Sequence, residues 1–490
     1  MRALGAGLAS PMSAAPPITR RDVGFRSERG PILIALMVVT GLIAIDSTIL
    51  ATAVASVVDD LGGFSSFPWL FSVYLLAQAV SVPIYAKLAD VVGRRPILLV
   101  GIALFFLGSV LCGFAPTMTM LIVFRAVQGL GAGALLPISI TIAGDIYTTA
   151  ERAKAQGYLA SVWAVSSVVG PTLGGVFSQF VSWRWIFFVN VPLCVLAVVL
   201  LLRNYKETAE RTRHRIDVAG GVTLTIGLTA LLLALLEGGE AWAWTSWQSL
   251  TVFAVAVVFL GVAVLIETRA AEPILPLKML GRRLVLTTTL VSAGVGAVLI
   301  GLTSYVPNYL ERAAGAPPIV AGLAVAALTL GWPLAASNAG RLYLRFGFRP
   351  TVLLGAVISV LAAAALLLVT PAASIALTAT ACLFIGIGLG LSATPSLIAA
   401  QSSVGYAERG VVTGANLFSR SIGSAVGVAI FGAIANAVLA GRSGGAATTS
   451  ASGAVFLGVV VAGVLTVAAA ACMPAVRADT SVPIPAAEPA

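Results

Sequence analysis

The stretch PILIALMVVTGLIAIDSTILATAVASVV, residues 31–58, is long and apolar but carries one carboxylate, Asp46, about 15 residues from its start. Its length exceeds the roughly 20 apolar residues that an α-helix needs to cross a bilayer. A charge at that depth is costly unless it faces a partner or a water-filled cavity, so it marks a functional site by default. The stretch therefore predicts a membrane-spanning helix, and its carboxylate is typical of a protein that moves something across a membrane.

The rest of the chain has the same apolar character. Of its 490 residues, 59% are hydrophobic and 10% are charged, and the mean hydropathy is +1.02. A soluble domain carries about 25% charged residues, so this composition indicates an integral membrane protein. The apolar runs are too long and continuous for the alternating strands of a membrane β-barrel. Fourteen of them are candidate spans, at about 31–56, 68–87, 96–115, 118–139, 156–178, 185–202, 217–236, 248–267, 284–310, 319–341, 350–370, 373–398, 411–437 and 453–473.

The positive charges are distributed unevenly around these segments. The formal net charge of +10 would by itself suit a nucleic-acid-binding protein. However, 23 of the 29 lysines and arginines lie on the N-terminal side of the membrane, and three lie in the opposite loops, at Arg184, Arg312 and Arg442. This positive-inside pattern predicts a multi-pass protein of the cell's inner (plasma) membrane with both termini in the cytoplasm. It favours the lipid bilayer as a partner and argues against nucleic acid.

The chain also repeats itself. The segment AKLADVVGRRP (86–96) reappears 254 residues later as GRLYLRFGFRP (340–350). Three shorter pairs of matching segments occur in the same order in both halves, at nearly the same offset. They are LIAIDS (42–47) with LIGLTS (299–304), GLGAG (129–133) with GIGLG (386–390), and GPTLGG (170–175) with GSAVGV (423–428). Internal repeats of several helices are typical of secondary transporters, whose substrate sites lie between the repeats.

The offset determines the predicted domain plan. Six helices with short loops need roughly 180 residues, so an offset about 70 residues longer leaves room for two inserted helices. We therefore predict a disordered cytoplasmic N-terminus (1–29), an N-terminal six-helix bundle (30–202), an inserted two-helix linker (203–283), a C-terminal six-helix bundle (284–475) and a cytoplasmic tail (476–490). The buried charges are concentrated in the first half, because Asp46 aligns with Thr303 and Arg125 aligns with Cys382.

Four short motifs lie in the first half of the chain, on or next to its first five predicted helices. Together they resemble the helix-1, loop 2–3, helix-4 and helix-5 signatures of the major facilitator superfamily (MFS), specifically of its 14-helix drug:proton antiporter (multidrug efflux) family. The resemblance covers about residues 30–475. The motifs are IDST (45–48), AKLADVVGRRPIL (86–98), LIVFRAVQGLGAG (121–133) and SSVVGPTLGG (166–175).

This resemblance implies an all-α integral membrane protein with the MFS fold: 14 transmembrane helices arranged as two six-helix bundles plus an inserted helix pair. It further implies a monomer without a cofactor, which uses the proton gradient to export small amphipathic substrates in exchange for protons by alternating access. Three positions depart from the signatures, namely Ala86, Val91 and Ser166. None of them replaces one of the charged residues on which the interpretation depends.

Asp46 and Arg125 are the first candidate site residues, for proton coupling and substrate contact. At 1.5 Å per residue, Asp46 lies roughly 8–12 Å and Arg125 about 10 Å from the outer ends of their helices, so the two side chains can share a level. A carboxyl group balanced between desolvation and a nearby arginine can bind and release a proton. We expect Asp46 to carry the proton and to contact cationic drugs, and we expect Arg125 to modulate the pKa of Asp46. The alternative is that both are fixed hydrogen-bonded struts.

Arg420 is the third candidate of this group. Its helix enters from the cytoplasmic side, which places it about 14 Å deep, near the midplane. Few carboxylates are available to pair with it. Its guanidinium therefore has three candidate partners: backbone carbonyls, Asp46 in one conformation, or an anionic group of the substrate.

Two further sets of residues are predicted from the loop 2–3 and helix-5 motifs. The first set is a cytoplasmic gate, in which the carboxylate caps a neighbouring helix end and pairs with arginine when the gate closes. The second set is the antiporter motif, in which proline kinks helix 5 and glycines let helices approach closely. The gate residues are Asp90, Gly93, Arg94 and Arg95, and the antiporter residues are Gly170, Pro171, Gly174 and Gly175.

Other classes of function fit the sequence less well. A membrane enzyme needs a nucleophile–base pair, a metal cluster or grouped carboxylates, whereas the chain has one histidine, in a polar linker. An ATP-driven pump needs a GxxxxGK[ST] loop, which is absent from the sequence. The alternative that stays open is an exporter of lipids or of another endogenous metabolite that uses the same mechanism.

Overall fold

The structure is a computed structural model of the chain. It describes residues 23–50, 53–62, 69–207, 217–238, 242–270, 277–312, 315–316, 318–368, 375–439 and 445–476.

The described residues form fourteen long α-helices, and an isolated bridge from Gly238 to Trp242 is the one β-type pairing among them. The all-α prediction is therefore confirmed. The helices are α1 (Gly30–Ile49), α2 (Trp69–Val92), α3 (Arg94–Gly113), α4 (Met118–Ile146), α5 (Thr149–Phe180), α6 (Asn190–Asn204), α7 (Val218–Glu237), α8 (Trp247–Arg269), α9 (Arg283–Arg312), α10 (Pro318–Phe346), α11 (Phe348–Leu366), α12 (Ile375–Ser402), α13 (Arg409–Leu439) and α14 (Gly445–Ala471). Shorter helices are Val54–Leu61, Trp185–Phe188, Leu277–Leu280 and the 3₁₀ turn Tyr406–Glu408.

The number of membrane spans matches the sequence expectation closely but not completely. Thirteen helices among the described residues are long and apolar enough to cross a bilayer. One of the thirteen is α6 taken together with the short helix before it, as Trp185–Asn204. The exception is α7, whose apolar stretch Ala219–Leu235 is too short by the same measure. The helix predicted at 217–236 is therefore present, but its span is not established by length and composition.

Polar side chains set several helix starts in this apolar chain. The side chain of Thr117 accepts a hydrogen bond from the backbone of Met120 at the start of α4. Thr148 and Glu151 form a reciprocal capping box at the start of α5. Such caps satisfy backbone N–H groups that have no partner within the helix. They fix where each span begins even though the apolar runs themselves have weak boundaries.

The predicted repeat is visible in the backbone. Gly93 separates α2 from α3 with a φ of 117°, and Gly347 separates α10 from α11 with a φ of 90°. Both angles lie where a side chain is strained, so glycine is required at each turn. The two glycines are equivalent positions of the segments 86–96 and 340–350, so both halves reverse direction by the same turn.

Helices α1–α6 and α9–α14 form two bundles, each with its own apolar core. The first core includes Leu36 and Phe105, and the second includes Val295 and Phe348. The bundles meet where α2 packs on α13 and where α5 packs on α10. These four helices therefore hold the interface on which any movement between the halves must act.

The inserted pair α7–α8 lies against this interface. The two helices pack on each other, and α7 also packs on α2 of the first bundle and α13 of the second. One apolar cluster joins Leu224 and Leu228 of α7 with Val80 of α2 and Ala425 of α13. The inserted pair thus touches both halves of the molecule.

The N-terminal boundary differs from the sequence expectation of disorder up to residue 29. Residues 23–29 are ordered: Val23 is fully buried, and the ring of Phe25 lies 5.3 Å from that of Tyr158. Arg29 also forms an ion pair with Glu151 at 3.0 Å. The apolar residues of this short segment anchor it on α5. Residues 1–22 and the tail beyond residue 476 lie outside the described residues.

Candidate functional site

Asp46 of α1 and Arg125 of α4 form an ion pair inside the first bundle. Arg125 Nη1 lies 2.7 Å from Asp46 Oδ2, and each residue is 1% exposed. The expectation that the two side chains share a level is therefore confirmed. Removing one partner of such a pair strands a charge in a medium that solvates it poorly, so the two are energetically dependent on each other.

Three uncharged side chains complete this polar centre. Gln128 Nε2 donates to Asp46 Oδ1 at 2.8 Å, and Asn190 Nδ2 donates to the same oxygen at 3.2 Å. Ser109 Oγ accepts from both amides, at 2.9 Å from Gln128 and 3.4 Å from Asn190. All three residues are fully buried. We call Asp46, Ser109, Arg125, Gln128 and Asn190 the polar centre.

Sequence reasoning missed part of the polar centre. Gln128 appears in the helix-4 motif, but the motif gives it no role, and no motif includes Ser109 or Asn190. The signal that could have found them is a polar residue isolated within an apolar span, since such a group needs a partner in the membrane. That signal gives no partner identity, because α3, α4 and α6 come together only in the folded bundle.

Arg125 has further partners that hold its orientation. Its Nε donates to the carbonyl oxygen of Leu70 at 3.2 Å, and its Nη1 donates to Gln128 Oε1 at 2.7 Å. The guanidinium carbon lies 4.1 Å from the ring centroid of Tyr74, within range of a cation–π interaction. The guanidinium therefore keeps several acceptors besides the carboxylate.

The helix-5 motif packs on α1 through Thr48, close in height to Asp46 but on another face of the helix. Thr48, two residues after Asp46 on α1, donates from Oγ1 to the carbonyl oxygen of Ser166 at 3.0 Å. A Cβ atom added at Gly170 would collide with Thr48 Oγ1. Gly170 therefore permits α1 and α5 to touch at this level. Pro171 lies within α5, and Gly174 is buried.

Gly175 does not lie at a close helix contact, although the motif predicts one there. A Cβ atom added there would have nothing within 4 Å. The close approach of α1 and α5 therefore depends on Gly170 and not on Gly175, which lies away from the contact.

Asp90 joins the two bundles at one end of the molecule, which we call the gate end. Its carboxylate accepts hydrogen bonds from the backbone N–H groups of Gly410, at 3.0 Å, and Val411, at 2.8 Å, in the first turn of α13. It also pairs with Arg94 at 2.7 Å. A carboxylate at a helix N-terminus interacts favourably with the helix dipole as well. The expected capping of a neighbouring helix is thus present.

Asp145 and Arg409 extend the gate end into a network. Asp145 lies 3.2 Å from Arg94 Nε and 2.9 Å from Arg409 Nη1, so it links a residue of each bundle. Arg94 Nη2 also donates to the carbonyl oxygen of Tyr406 at 2.6 Å. Tyr343 donates its hydroxyl to the carbonyl oxygen of Thr149 close by. The gate end is therefore closed in this structure.

Glu207, just after α6, supports this network although the sequence gives it no role. Its carboxylate accepts from the backbone of Arg94 at 2.6 Å and of Arg95 at 3.2 Å, and from the Tyr406 hydroxyl at 3.3 Å. A Cβ atom at Gly93 would lie 2.7 Å from its Oε2, so this glycine also makes room for the carboxylate.

Arg95 does not contribute its charge to the gate. Its side chain donates to the carbonyl oxygen of Leu202, within the first bundle, in an exposed position. The gate role expected for Arg95 stays a prediction, and in this structure its side chain lies away from the contacts between the bundles. Adjacent residues on a helix point about 100° apart, so Arg94 and Arg95 cannot both face α13.

Arg420 of α13 is not brought to Asp46. The two oxygens of Asp46 are occupied by the groups of the polar centre. Within the described part of the chain, the Arg420 guanidinium makes no ion pair and donates no hydrogen bond. Its neighbour is the ring of Trp332 on α10, at 5.8 Å. The structure thus separates the three residues that the sequence grouped together.

Sequence comparison agrees with this architecture. The family model of the Major Facilitator Superfamily matches residues 36–428. The chain belongs to the Major Facilitator Superfamily. It is 34% identical over 402 residues to the multidrug transporter protein MdtP of Bacillus subtilis (strain 168), with 82% of this chain and 74% of that protein aligned. It is also 34% identical over 380 residues to multidrug resistance protein 3 of the same organism, covering 78% and 74%.

Structural comparison gives the same fold. The human organic anion transporter MFSD10 (TETRAN) superposes with a TM-score of 0.62 at 14% identity, covering 89% of this chain and 99% of that chain. At such low identity the likeness shows the fold alone. Family membership confirms the resemblance stated from the motifs. The protein is a multi-pass membrane transporter of this superfamily and not an enzyme.

Proposed function

We propose that this MFS protein is a proton-coupled secondary exporter of small amphipathic drugs, a multidrug:H⁺ antiporter that works by alternating access. The observation that carries the proposal is the Asp46–Arg125 pair, fully buried in the first bundle. The helix that carries Asp46 also packs on the antiporter motif, where Thr48 lies against Gly170. Two similar proteins are named as multidrug transport or resistance proteins, which supports the drug-export part of the proposal.

Asp46 is the group that takes up the proton. Protonation at Oδ2 removes the negative charge that compensates Arg125. Arg125 keeps two acceptors in this event, Gln128 Oε1 and the carbonyl oxygen of Leu70. These acceptors lower the cost of separating the pair, so a proton can bind without unfolding the bundle. Arg125 is thus the positioning residue that sets how readily Asp46 accepts a proton.

Movement at Asp46 reaches the rest of the molecule through α5. Thr48 lies on the same helix and bonds α5 at Ser166, and α5 packs on α10 of the second bundle. A shift of α1 on protonation therefore acts on a helix that spans the interface. This chain of contacts is the physical route by which proton binding changes the relative position of the bundles.

The gate end is the cytoplasmic end in this proposal, because the positively charged connections lie there. The structure then corresponds to the state closed to the cytoplasm. Opening exposes the carboxylates of Asp90 and Asp145 and their arginine partners to water, where ion pairs contribute roughly 0–1 kcal/mol. The gate can therefore break and reform at small cost. Both termini are cytoplasmic in the plasma membrane, the protein acts as a monomer without a cofactor, and the proton gradient supplies the energy.

The test is efflux from energised cells with a panel of amphipathic fluorescent dyes: a cation (ethidium), a neutral compound (N-phenyl-1-naphthylamine) and an anion (dansyl-phenylalanine). We expect uncoupler-sensitive efflux of at least one dye by the wild type and its loss in Asp46→Asn. The matched control is Asp59→Asn, the same change at an exposed position. Efflux that survives in Asp46→Asn would remove Asp46 from coupling. The absence of efflux of every dye by the wild type would favour an exporter of lipids or of an endogenous metabolite.

A further inference from the structure

We propose that Arg420 and Trp332 form an anion-binding subsite in the space between the two bundles. The substrates that this subsite selects are amphipathic molecules that carry an acidic group close to an aromatic ring. The inference rests on the proposed export function and names the chemical class of substrate, which differs from the cationic drugs expected from the sequence.

The two residues lie at similar depth in facing helices. Arg420 is 11 residues from Arg409 at the start of α13, about 16 Å from the gate end. Trp332 is 14 residues from Phe346 at the end of α10, about 21 Å from the same end. The principal packing partners of the two helices lie elsewhere: α10 packs on α12 and α5, and α13 packs on α9 and α2. Their long side chains therefore meet between two helices that do not pack directly on each other.

Leu417 shows which way this face of α13 points. It lies one turn before Arg420 on the same side of the helix, because residues three apart are neighbours on a helix face. Leu417 is buried in the core cluster of the first bundle, together with Leu397 of α12. The two bundles are thus sealed at the level of Leu417. Arg420, one turn further along α13, is partly exposed. We infer that it faces the gap between the bundles beyond that seal.

The charges of the helices make this space attractive to anions. Asp46, Asp90 and Asp145 are each paired with an arginine, so these three carboxylates offer no free charge to a cation. Arg420, in contrast, has no ion pair or hydrogen bond from its guanidinium among the described residues. An uncompensated guanidinium in the middle of a membrane protein is costly unless water or a ligand solvates it. A carboxylate, sulfonate or phosphate on the substrate supplies that compensation.

The shape of the pair adds specificity for aromatic acids. A guanidinium presents its N–H donors as a planar fork, which fits the two oxygens of a carboxylate. Trp332, with its centroid 5.8 Å from the guanidinium carbon, offers an apolar face on which the ring of a substrate can stack. The subsite therefore favours molecules in which an acidic group and an aromatic group are held at a fixed spacing.

The experiment uses the purified full-length protein and two fluorescent probes that differ in one group: dansyl-phenylalanine, with a free carboxylate, and dansyl-phenylalaninamide, with an amide. We expect the wild type to bind the carboxylate about 10-fold or more tightly than the amide, the size of effect that one charge-assisted contact gives. Arg420→Gln should abolish this preference and leave affinity for the amide within about 2-fold. Arg420→Lys should restore part of it, because the charge returns without the fork.

Matched variants and an efflux assay separate the explanations. Arg341→Gln, on the exposed surface of α10, removes the same charge and should change neither affinity. Trp332→Leu should lower the affinity for both probes, since it removes the stacking surface but leaves the charge of Arg420. Equal affinity of the wild type for both probes, or an equal loss of both in Arg420→Gln, would overturn the subsite. Binding does not require a proton gradient, so a preference for the carboxylate without uncoupler-sensitive efflux would support the subsite while contradicting the proposed export function.

Discussion

The strongest quantitative expectation concerns the Asp46–Arg125 pair. Replacing one partner of a buried ion pair costs roughly 3–5 kcal/mol, because the other charge is left without compensation. For Asp46→Asn we expect the lower limit, about 3 kcal/mol, since Arg125 keeps Gln128 Oε1 and the Leu70 carbonyl as acceptors. For Arg125→Gln we also expect about 3 kcal/mol, because Asp46 retains two amide donors and can take up a proton.

The double variant distinguishes an energetically coupled ion pair from two side chains that stabilise the bundle independently. If the residues acted independently, Asp46→Asn with Arg125→Gln would cost about 6 kcal/mol, the sum of the single changes. We expect only about 2–3 kcal/mol, because the double variant contains no unpaired buried charge. The coupling energy is then about 3–4 kcal/mol, at or just above the upper end of measured pairwise terms.

Equilibrium unfolding in mixed micelles of SDS and a mild detergent measures these free energies directly. Asp59→Asn serves as the control, because it removes a carboxylate from an exposed position and should change stability by less than about 0.5 kcal/mol. A double variant whose destabilisation equals the sum of the singles would refute the reasoning. It would mean that the two side chains are held by separate parts of the bundle and do not compensate each other.

Two further expectations concern packing and pH. Gly170→Ala should destabilise the protein by about 1–3 kcal/mol, because the new methyl collides with Thr48, whereas Gly175→Ala, which meets open space, should be nearly neutral in the same unfolding assay. The hydrogen bond from Arg184 lowers the pKa of Asp60 from its ordinary value, so this pair stabilises the fold above the unfolded pKa of Asp60, near 3.8. That contribution is lost as the pH falls through the folded value below 3.8, and Asp60→Asn should remove this part of the acid dependence of the unfolding midpoint.

The closed gate end shows how contact geometry limits what a motif implies. The sequence motif groups Asp90, Arg94 and Arg95 as equivalent charged positions. In the fold, Asp90 and Arg94 face α13, whereas Arg95 turns back to the first bundle. Glu207 lies 112 residues from Arg95 along the chain, yet it caps the helix on which both arginines lie. A motif therefore identifies the region of a gate, and helix rotation decides which side chain takes part.

The fold could be predicted far more completely than the site. Apolar runs of about 20 residues locate spanning helices with little dependence on tertiary contacts, because the bilayer itself demands that backbone groups be satisfied within each helix. The repeat of segment 86–96 at 340–350 likewise predicted two equivalent halves, and the turns at Gly93 and Gly347 share the same left-handed geometry. The exception is α7, whose apolar stretch Ala219–Leu235 falls short in length although its residues are strongly apolar.

The sequence by itself determined the all-α membrane class, the two bundles, the family and the approximate level of Asp46 and Arg125. These follow from local composition and from helical rise, which are properties of single segments. Only the tertiary structure decided that Gln128, Ser109 and Asn190 complete the centre around Asp46, and that Arg420 is left unpaired beside Trp332. The physical reason is that a polar group in a membrane must find a partner, but which partner it finds depends on how helices distant in sequence are rotated against one another.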